Sequence, residues 1–414
     1  VRPEGLVVFG GNHVSHQGVE VFRRWPAVDV VVDGEGERTF VELLRWHVDG
    51  GAVEDLRGVP GLTFRPEALR RRRQGDLGLV GPGVDRIVST AERERERDLD
   101  RLPSPFLTGA IPLVDAEGRF PYDVALMETN RGCPYRCSFC YWGGAVGARV
   151  HEFGAERLRA ELDLLGRHGV ESVVLCDANF GMRKADLRFV HDLLEVRDRH
   201  GAPRYLEASW AKNKSAVFRE IVGLMRSERL SSSFTLALQS LDGPTLGDME
   251  RRNMQINEWR DVAEDLRAQG FDAYAELIWG APGETPASFM RGYDELATTI
   301  PRIAVYPLLV LPNTGYDRDR ERHELLTVRG ADDDYEYVLA HRTMTVEQNL
   351  EVQRFVFWAR VLAEHAYLRS CWSALPLVGG LTQSEAIRSF VDHLDATDGS
   401  LAAALRAWWR PFAD

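Results

Sequence analysis

Cysteine is scarce in this chain, with five residues in 414, three of them packed between Cys133 and Cys140. So few thiols exclude a disulfide framework, and the clustering of three points to a metal. Also missing is any run near the roughly 20 consecutive apolar residues that cross a bilayer, and no charged-then-apolar signal segment opens the chain. The expectation is a soluble, cytoplasmic protein without a membrane partner. Cations are the minority charge, 51 Lys and Arg against 63 Asp and Glu. The net charge of −12 repels a phosphate backbone, so nucleic acid is not an expected partner. No internal repeat or low-complexity tract stands out. What is present is length and 44% hydrophobic residues, enough for a large core and a smaller appended module.

The opening text VRPEGLVVFGGNH reads as the inside of a strand, so the chain is expected to be a fragment that has lost its N-terminus. Leu6 to Gly11 is an apolar run stopped by two glycines, and Val28 to Asp33 is a second run leading into Gly34-Glu35-Gly36-Glu37 and a helical pattern from Thr39 to His47. Strand, helix, strand, helix over residues 1–85 suits the trailing half of a doubly wound sheet. Short strands are expected from Gly61 to Val84, with Arg70 to Arg73 on a solvated hairpin. Thr90 to Asp100 is charged and nearly devoid of apolar residues, and LPSP follows it, so 86–120 reads as a linker.

Six apolar runs then alternate with helical patterns: Val124 to Glu128, Ser172 to Cys176, Tyr205 to Ser209, Phe234 to Gln239, Ala273 to Trp279 and Ala304 to Leu311. The fold class is α/β, with a partial (β/α)6 barrel over 121–331 whose chemistry sits at the C-terminal ends of the strands. From about Asp332 to the end the pattern is helical, and Phe355, Trp358, Val361, Leu362 and Ala366 form a packing stripe. Tyr141, Trp142, Trp210 and Trp279 stand near strand ends, where aromatics line a pocket or fill a core.

Cys133-Pro-Tyr-Arg-Cys137-Ser-Phe-Cys140 follows the first barrel strand and the turn Asn130-Arg131-Gly132. Three thiolates on one tight loop can ligate three irons of a cubane and leave the fourth open to a substrate or cofactor. Structural zinc wants four ligands, and the nearest candidate for the fourth, His151, is far along the chain. Cys176, inside a strand, reads as a buried small hydrophobe, and Cys371 has no metal-spaced neighbour.

The CxxxCxxC spacing after a first strand resembles the radical S-adenosylmethionine (SAM) superfamily from about Pro121 to Thr314. The resemblance implies a [4Fe-4S] cluster on Cys133, Cys137 and Cys140, with SAM on the open iron and its adenine near Phe139. There an electron from the cluster cleaves SAM to a 5′-deoxyadenosyl radical, and the protein supplies positioning and dryness. It further implies SAM contacts from Asp177 and Asn179 (VVLCDANFG), Glu207 and Ser209, and Gln239 and Ser240 (LALQS). Gly280 and Pro282 of ELIWGAPGE would flank the adenine, and Arg252 would meet the SAM carboxylate.

LVVFGGNHVS followed by VDVVVDGEGERTFVELL resembles the last two strands of the cobalamin-binding domain that precedes many radical SAM enzymes. That resemblance places Gly10, Gly11, Gly34 and Glu35 toward cobalamin, at least in the full-length protein. Enzymes of this layout are mostly methyltransferases acting on an unactivated carbon or phosphorus. CYWGG, DANFG, EASWAKN and YPLLVLPNT are similar to the branch holding tryptophan 2-C-methyltransferase and phosphinate P-methyltransferase. The implied partners are a small-molecule or peptide substrate and a low-potential electron donor such as flavodoxin or ferredoxin. A cobalamin-dependent cyclase, or an inactive cluster-binding fragment, are the alternatives.

Overall fold

The structure is a computed structural model and describes residues 5–75, 86–211, 215–251, 256–331, 333–365, 367–372 and 374–410. The N-terminal sheet runs β1 (Val8–Gly10), β2 (Val30–Val32), β3 (Leu62–Phe64), β4 (Val88–Ser89), in that spatial order. The first pair is parallel and the next two are antiparallel. Val30 and Val32 pack with Leu43 and Trp46 of helix α2 (Gly36–Val48), whereas Val31 packs with Val21 and Phe22 of helix α1 (Gly18–Arg24). A strand covered on both faces has no polar side, which is why VVV does not alternate.

Two expectations fail here. Arg70 to Arg73 do not lie on a hairpin but close helix α3 (Pro66–Arg73). Pro66 and Glu67 in its first turn and four arginines in its last suit the helix dipole, and Ala68 and Leu69 are buried beneath it. Residues 76–84 of the expected strands lie outside the described residues. Because β4 pairs with β3, the sheet also runs past residue 85.

The charged stretch 90–100 is no free tether. Arg93 donates to Thr39 and Glu42, Glu96 N–H donates to Glu35 at 3.0 Å, and Arg95 reaches the Gly143 carbonyl. Polar bonds to both flanks, with Leu99 buried in the barrel core at its end, dock it.

All six expected barrel strands are present: β5 (Ala125–Met127), β8 (Ser172–Phe180), β9 (Tyr205–Trp210), β10 (Ser233–Gln239), β11 (Asp272–Trp279) and β12 (Ile303–Pro307). A short antiparallel pair, β6 (Asn130–Arg131) and β7 (His151–Glu152), brackets the cysteine loop. The barrel strands pair in parallel as β5-β8-β9 and β10-β11-β12. The two halves meet through Leu206 N–H to Ser231 O at 3.0 Å and Trp210 Nε1 to Ser233 O at 3.0 Å. Helices α4 (Ala155–Arg167), α5 (Lys184–His200), α6 (Ala216–Ser227), α7 (Gly243–Asp248), α8 (Ile256–Ala268) and α9 (Pro286–Ala297) fill the crossovers, so all six strands point their C-terminal ends the same way.

The region after residue 332 is not wholly helical. Glu336–Ala340 forms strand β14, antiparallel to β13 (Leu326–Arg329). Val310 N–H to Glu336 O and Val338 N–H to Leu308 O tie this strand to the chain leaving β12. Long-range backbone pairing overrides a local pattern there. Helices Val346–Ala359, Gln383–Ala396 and Ser400–Trp409 follow. Phe355 and Trp358 are buried and Val361 and Leu362 pack on the same core, as expected, whereas Ala366 lies outside the described residues. No helix among the described residues is long and apolar enough to cross a membrane.

Candidate functional site

The cysteine loop begins at Gly132, whose φ of +127° turns the chain so closely under its return strand that only hydrogen fits. Cys133 N–H donates to Ala145 O at 3.2 Å and Cys140 N–H to Cys137 O at 3.1 Å, folding the loop on itself. Ser138 anchors its far side, donating to Met249 O and accepting from Tyr316 N–H, with Gly315 pressed against its Cα. Cys133 and Cys137 are buried, Cys140 is half-buried, and all three are free thiols. Two buried donors face the sulfurs: Asn179 Nδ2 at 3.3 Å from Cys133 Sγ, and Arg251 Nη1 at 3.9 Å from Cys137 Sγ. N–H groups aimed at sulfur suit thiolates carrying charge. A cubane takes one thiolate at each of three corners rather than three at one ion, and among the described residues no three His, Cys, Asp or Glu side chains gather round a single ion.

Beside the loop, the strand ends enclose a cavity of about 420 Å³ lined by Cys133, Phe139, Cys140, Asn179, Glu207, Ser209 and Gln239 among others. Seven residues expected from sequence thus meet in one space. Asn179 is 9% exposed, and with its amide nitrogen on Cys133 its Oδ1 is left without a partner. A buried orphan acceptor asks for a donor from whatever fills the cavity. Gln239 is turned in by an irregularity of the β10 ladder after Ala237 and holds a left-handed φ of +69°. Glu207 accepts from Ser233 N–H at 3.0 Å, and burial raises its pKa. Thr235, Tyr274 and Glu276 extend the polar lining deeper into the barrel. The sequence does not single them out, because they lie mid-strand, ahead of the strand ends where such sites gather.

Four expected SAM residues stand elsewhere. Asp177 is fully buried and does not line the cavity, although Leu175 and Asn179 on either side of it along the strand do; its carboxylate is taken up instead by the turn before the cysteine loop. It accepts from Thr129 N–H at 2.8 Å, Thr129 Oγ1, and Asn130 N–H and Nδ2, fastening the turn that delivers Cys133. Ser240 donates to Glu284 at 2.8 Å, away from the cavity, where burial lifts the Glu284 carboxyl to about 8. Gly280 and Pro282 are buried in the turn after β11, outside the cavity linings described here. Arg252 lies outside the described residues.

Burial raises the Asp177 carboxyl from 3.8 to about 6. The fold therefore favours its protonated form, and the stability this group contributes is full below pH 3.8 and lost as pH rises through about 6. Asp177→Ala should destabilise the protein by about 3 kcal/mol by stranding the Thr129 and Asn130 donors. In denaturant titrations from about pH 5 to 7.5 the wild type's advantage over this variant should shrink with rising pH; a constant gap would count against the assignment.

The opposite flank of the loop faces the N-terminal sheet across two adjoining clefts, of about 390 and 580 Å³. Asn12, Trp142, Gly143 and Cys176 line both, Gly34 and Glu35 line the first, and Phe139, Cys140, Tyr141, Leu311 and Tyr335 line the second. Trp142, Phe139 and Cys140 are thus shared between barrel cavity and cleft. Cys176, expected to be buried, is exposed to these clefts, since its strand position faces inward with Val174 and Ala178. Gly10 and Gly11 end β1 exposed, with Gly11 at φ +99°, and line neither cleft. Trp210 lines the barrel cavity, whereas Trp279 is core, bonded to Asn349 at 2.8 Å. Specific ties hold the clefts' walls: Arg131 to Glu37 at 2.7 Å, Asn313 Nδ2 to Ser15 O at 2.9 Å, and Arg24 to Asp334.

Comparison with known proteins places this geometry. Residues 127–296 match the family model described as the Radical SAM superfamily. The chain is 32% identical, over its whole length, to the cobalamin-dependent radical SAM methyltransferase TokK of Streptomyces tokunonensis, of which it spans 61%. It is 35% identical over 75% of its length to the 2-(S-pantetheinyl)-carbapenam-3-carboxylate methyltransferase of Streptantibioticus cattleyicolor, covering 44% of that protein. In fold it is similar to the cobalamin-dependent SAM radical enzyme OxsB with aqua-cobalamin and SAM bound, at a TM-score of 0.60, 14% identity, 99% of this chain and 62% of that one.

Proposed function

We propose that the chain, whose residues 127–296 match the Radical SAM superfamily, is the catalytic part of a cobalamin-dependent radical SAM methyltransferase. Its product would carry a new methyl group on an unactivated carbon or phosphorus of a small-molecule or peptide natural-product precursor. The observation that carries this reading is the shared wall formed by Phe139, Cys140 and Trp142, with a barrel cavity studded by Asn179, Glu207 and Gln239 on one side and an aromatic-lined cleft against the N-terminal sheet on the other. One space suits SAM beside a cluster, and the other a second, larger cofactor.

When bound, the [4Fe-4S] cluster on Cys133, Cys137 and Cys140 with SAM supplies adenosyl and methyl-donor chemistry, and cobalamin supplies a methyl carrier. The protein's own part is positioning and exclusion of water. Asn179 offers its unpartnered Oδ1 to a donor in the cavity, and Gln239 is aimed at the same space from a strained backbone. Glu207 and Ser209 add acceptors and a donor from β9. Gly34 and Glu35 lie where cobalamin would border the N-terminal sheet, and Trp142 walls both spaces. Carbapenams are the first precursors to try, since a relative's name carries one. A flavodoxin or ferredoxin would supply electrons.

The test is chromatography of the adenosyl products after anaerobic incubation with cobalamin, SAM, a low-potential reductant and candidate precursors. At least one equivalent of S-adenosylhomocysteine should form per product, and the product should gain the mass of one methylene. Deoxyadenosine in step with product marks a radical route, and its absence a polar one. Deoxyadenosine without S-adenosylhomocysteine or added mass would overturn the methyltransferase reading in favour of a cyclase.

A further inference from the structure

The cysteine loop has two sides of unequal character. Cys133 and Cys140 border the barrel cavity, whereas Cys137 does not. Behind Cys137 lies Arg251, 7% exposed and likewise absent from the cavity wall. Its guanidinium reaches Cys137 Sγ at 3.9 Å and the Ala237 carbonyl. The backbone fixes it there, since Arg251 N–H donates to Leu246 O at 3.0 Å and Ser138 of the loop donates to Met249 O at 2.9 Å. Burial opposes the guanidinium's charge, and the groups that favour it are Cys137, Cys140 and Tyr135.

A guanidinium withdrawn from water is costly unless negative charge faces it. Among the groups facing it here are the thiols of the loop. On the other flank Asn179 Nδ2 stands 3.3 Å from Cys133 Sγ. A fixed cation and an amide donor therefore approach the same set of sulfurs from opposite sides, and a low-dielectric setting strengthens both effects. Reducing a cluster adds one negative charge to it, taken as a single electron from an external low-potential donor. Buried positive charge and N–H···S bonds stabilise the state that has gained it.

We propose that Arg251, together with Asn179, sets the reduction potential of a cluster held by Cys133, Cys137 and Cys140, raising it so that a weaker one-electron donor can reduce it. The inference rests on the cluster reading given above, and its test separates the two. Wild type, Arg251→Gln, Arg251→Lys and Asn179→Leu are reconstituted anaerobically without SAM and assayed for iron and sulfide. Each is then titrated with dithionite against solution potential, following the spin-resonance signal of the reduced cluster.

At the wild-type midpoint, Arg251→Gln should show a ratio of reduced to oxidised cluster at least tenfold lower, a shift of about 59 mV to more negative potential for one electron. Arg251→Lys should recover most of that loss, and Asn179→Leu should shift less, in the same direction. A purely structural role would lower cluster content without moving the midpoint of what remains. Unchanged midpoints in Arg251→Gln and Asn179→Leu would overturn the proposal. Should Arg251→Gln take up no cluster, Asn179→Leu decides: a negative shift supports it and an unchanged midpoint overturns it. Wild type without iron and sulfide would instead defeat the cluster reading itself.

Discussion

Replacing Cys133, Cys137 and Cys140 together by Ala is expected to abolish cluster binding: anaerobically reconstituted wild type should take up about four irons and four sulfides and absorb broadly in the visible, and the triple variant neither. The effect should be nearly all-or-none. Cys176 and Cys371, the remaining thiols, are both exposed and lie outside the loop, so they offer no replacement set. The fold itself should survive, because the barrel core is built from residues such as Leu162, Val173, Leu206 and Phe234, all essentially inaccessible to solvent and independent of the loop. Far-ultraviolet dichroism should therefore stay close to wild type while iron disappears. A lower thermal midpoint is also expected, since a group bound only by the folded chain stabilises it by mass action. Full iron content in the triple variant would end the assignment.

How much of this was legible beforehand follows from the range of each signal. The six barrel strands were readable because each is a contiguous apolar run with a helical pattern between, and such units admit one parallel arrangement. The cysteine loop was readable because its ligands lie within one turn of chain. Asp177 was misjudged because a strand-end position says only that a side chain is near the mouth; what takes up its carboxylate is Thr129 and Asn130 on the neighbouring turn, a contact that sequence does not print. Cys176, one residue earlier, was misjudged because the clefts it is exposed to are walled in part by Asn12 and Gly34, equally remote in sequence. Arg251 went unnoticed because Ala237 and Cys137, among its partners, lie fourteen and more than a hundred residues back. β14 was read as helix because the pairing that makes it a strand comes from the chain after β12. In each case the missing information is a contact across sequence distance.

Gly132→Ala should be the most damaging single substitution that touches no ligand. At φ +127° an alanine is strained before any neighbour is considered. In addition, an ideal Cβ there would lie 2.5 Å from the carbonyl oxygen of Arg149 and 2.8 Å from the Cα of Val150. Both are backbone atoms, so no rotamer change relieves the clash. The pair of strands that closes the loop, Arg131 against His151, would have to open. Opening it displaces Cys133, whose N–H to Ala145 O bond depends on the same turn. The cost should be about 3 kcal/mol or more in unfolding free energy, the scale of a strained backbone combined with broken packing. Cluster uptake should fall with it, because a ligand set displaced by even an ångström no longer spans its irons. Gly109 supplies the control: it is also left-handed, at φ +69°, but nothing lies within 4 Å of the position of its missing Cβ. Gly109→Ala should cost only about 1 kcal/mol, the conformational term alone, and leave iron content unchanged. Thermal unfolding and iron assay of the two variants side by side make the comparison. Equal behaviour of the two would mean that the return strand yields freely, and that the close approach at Arg149 is not what shapes the cysteine loop.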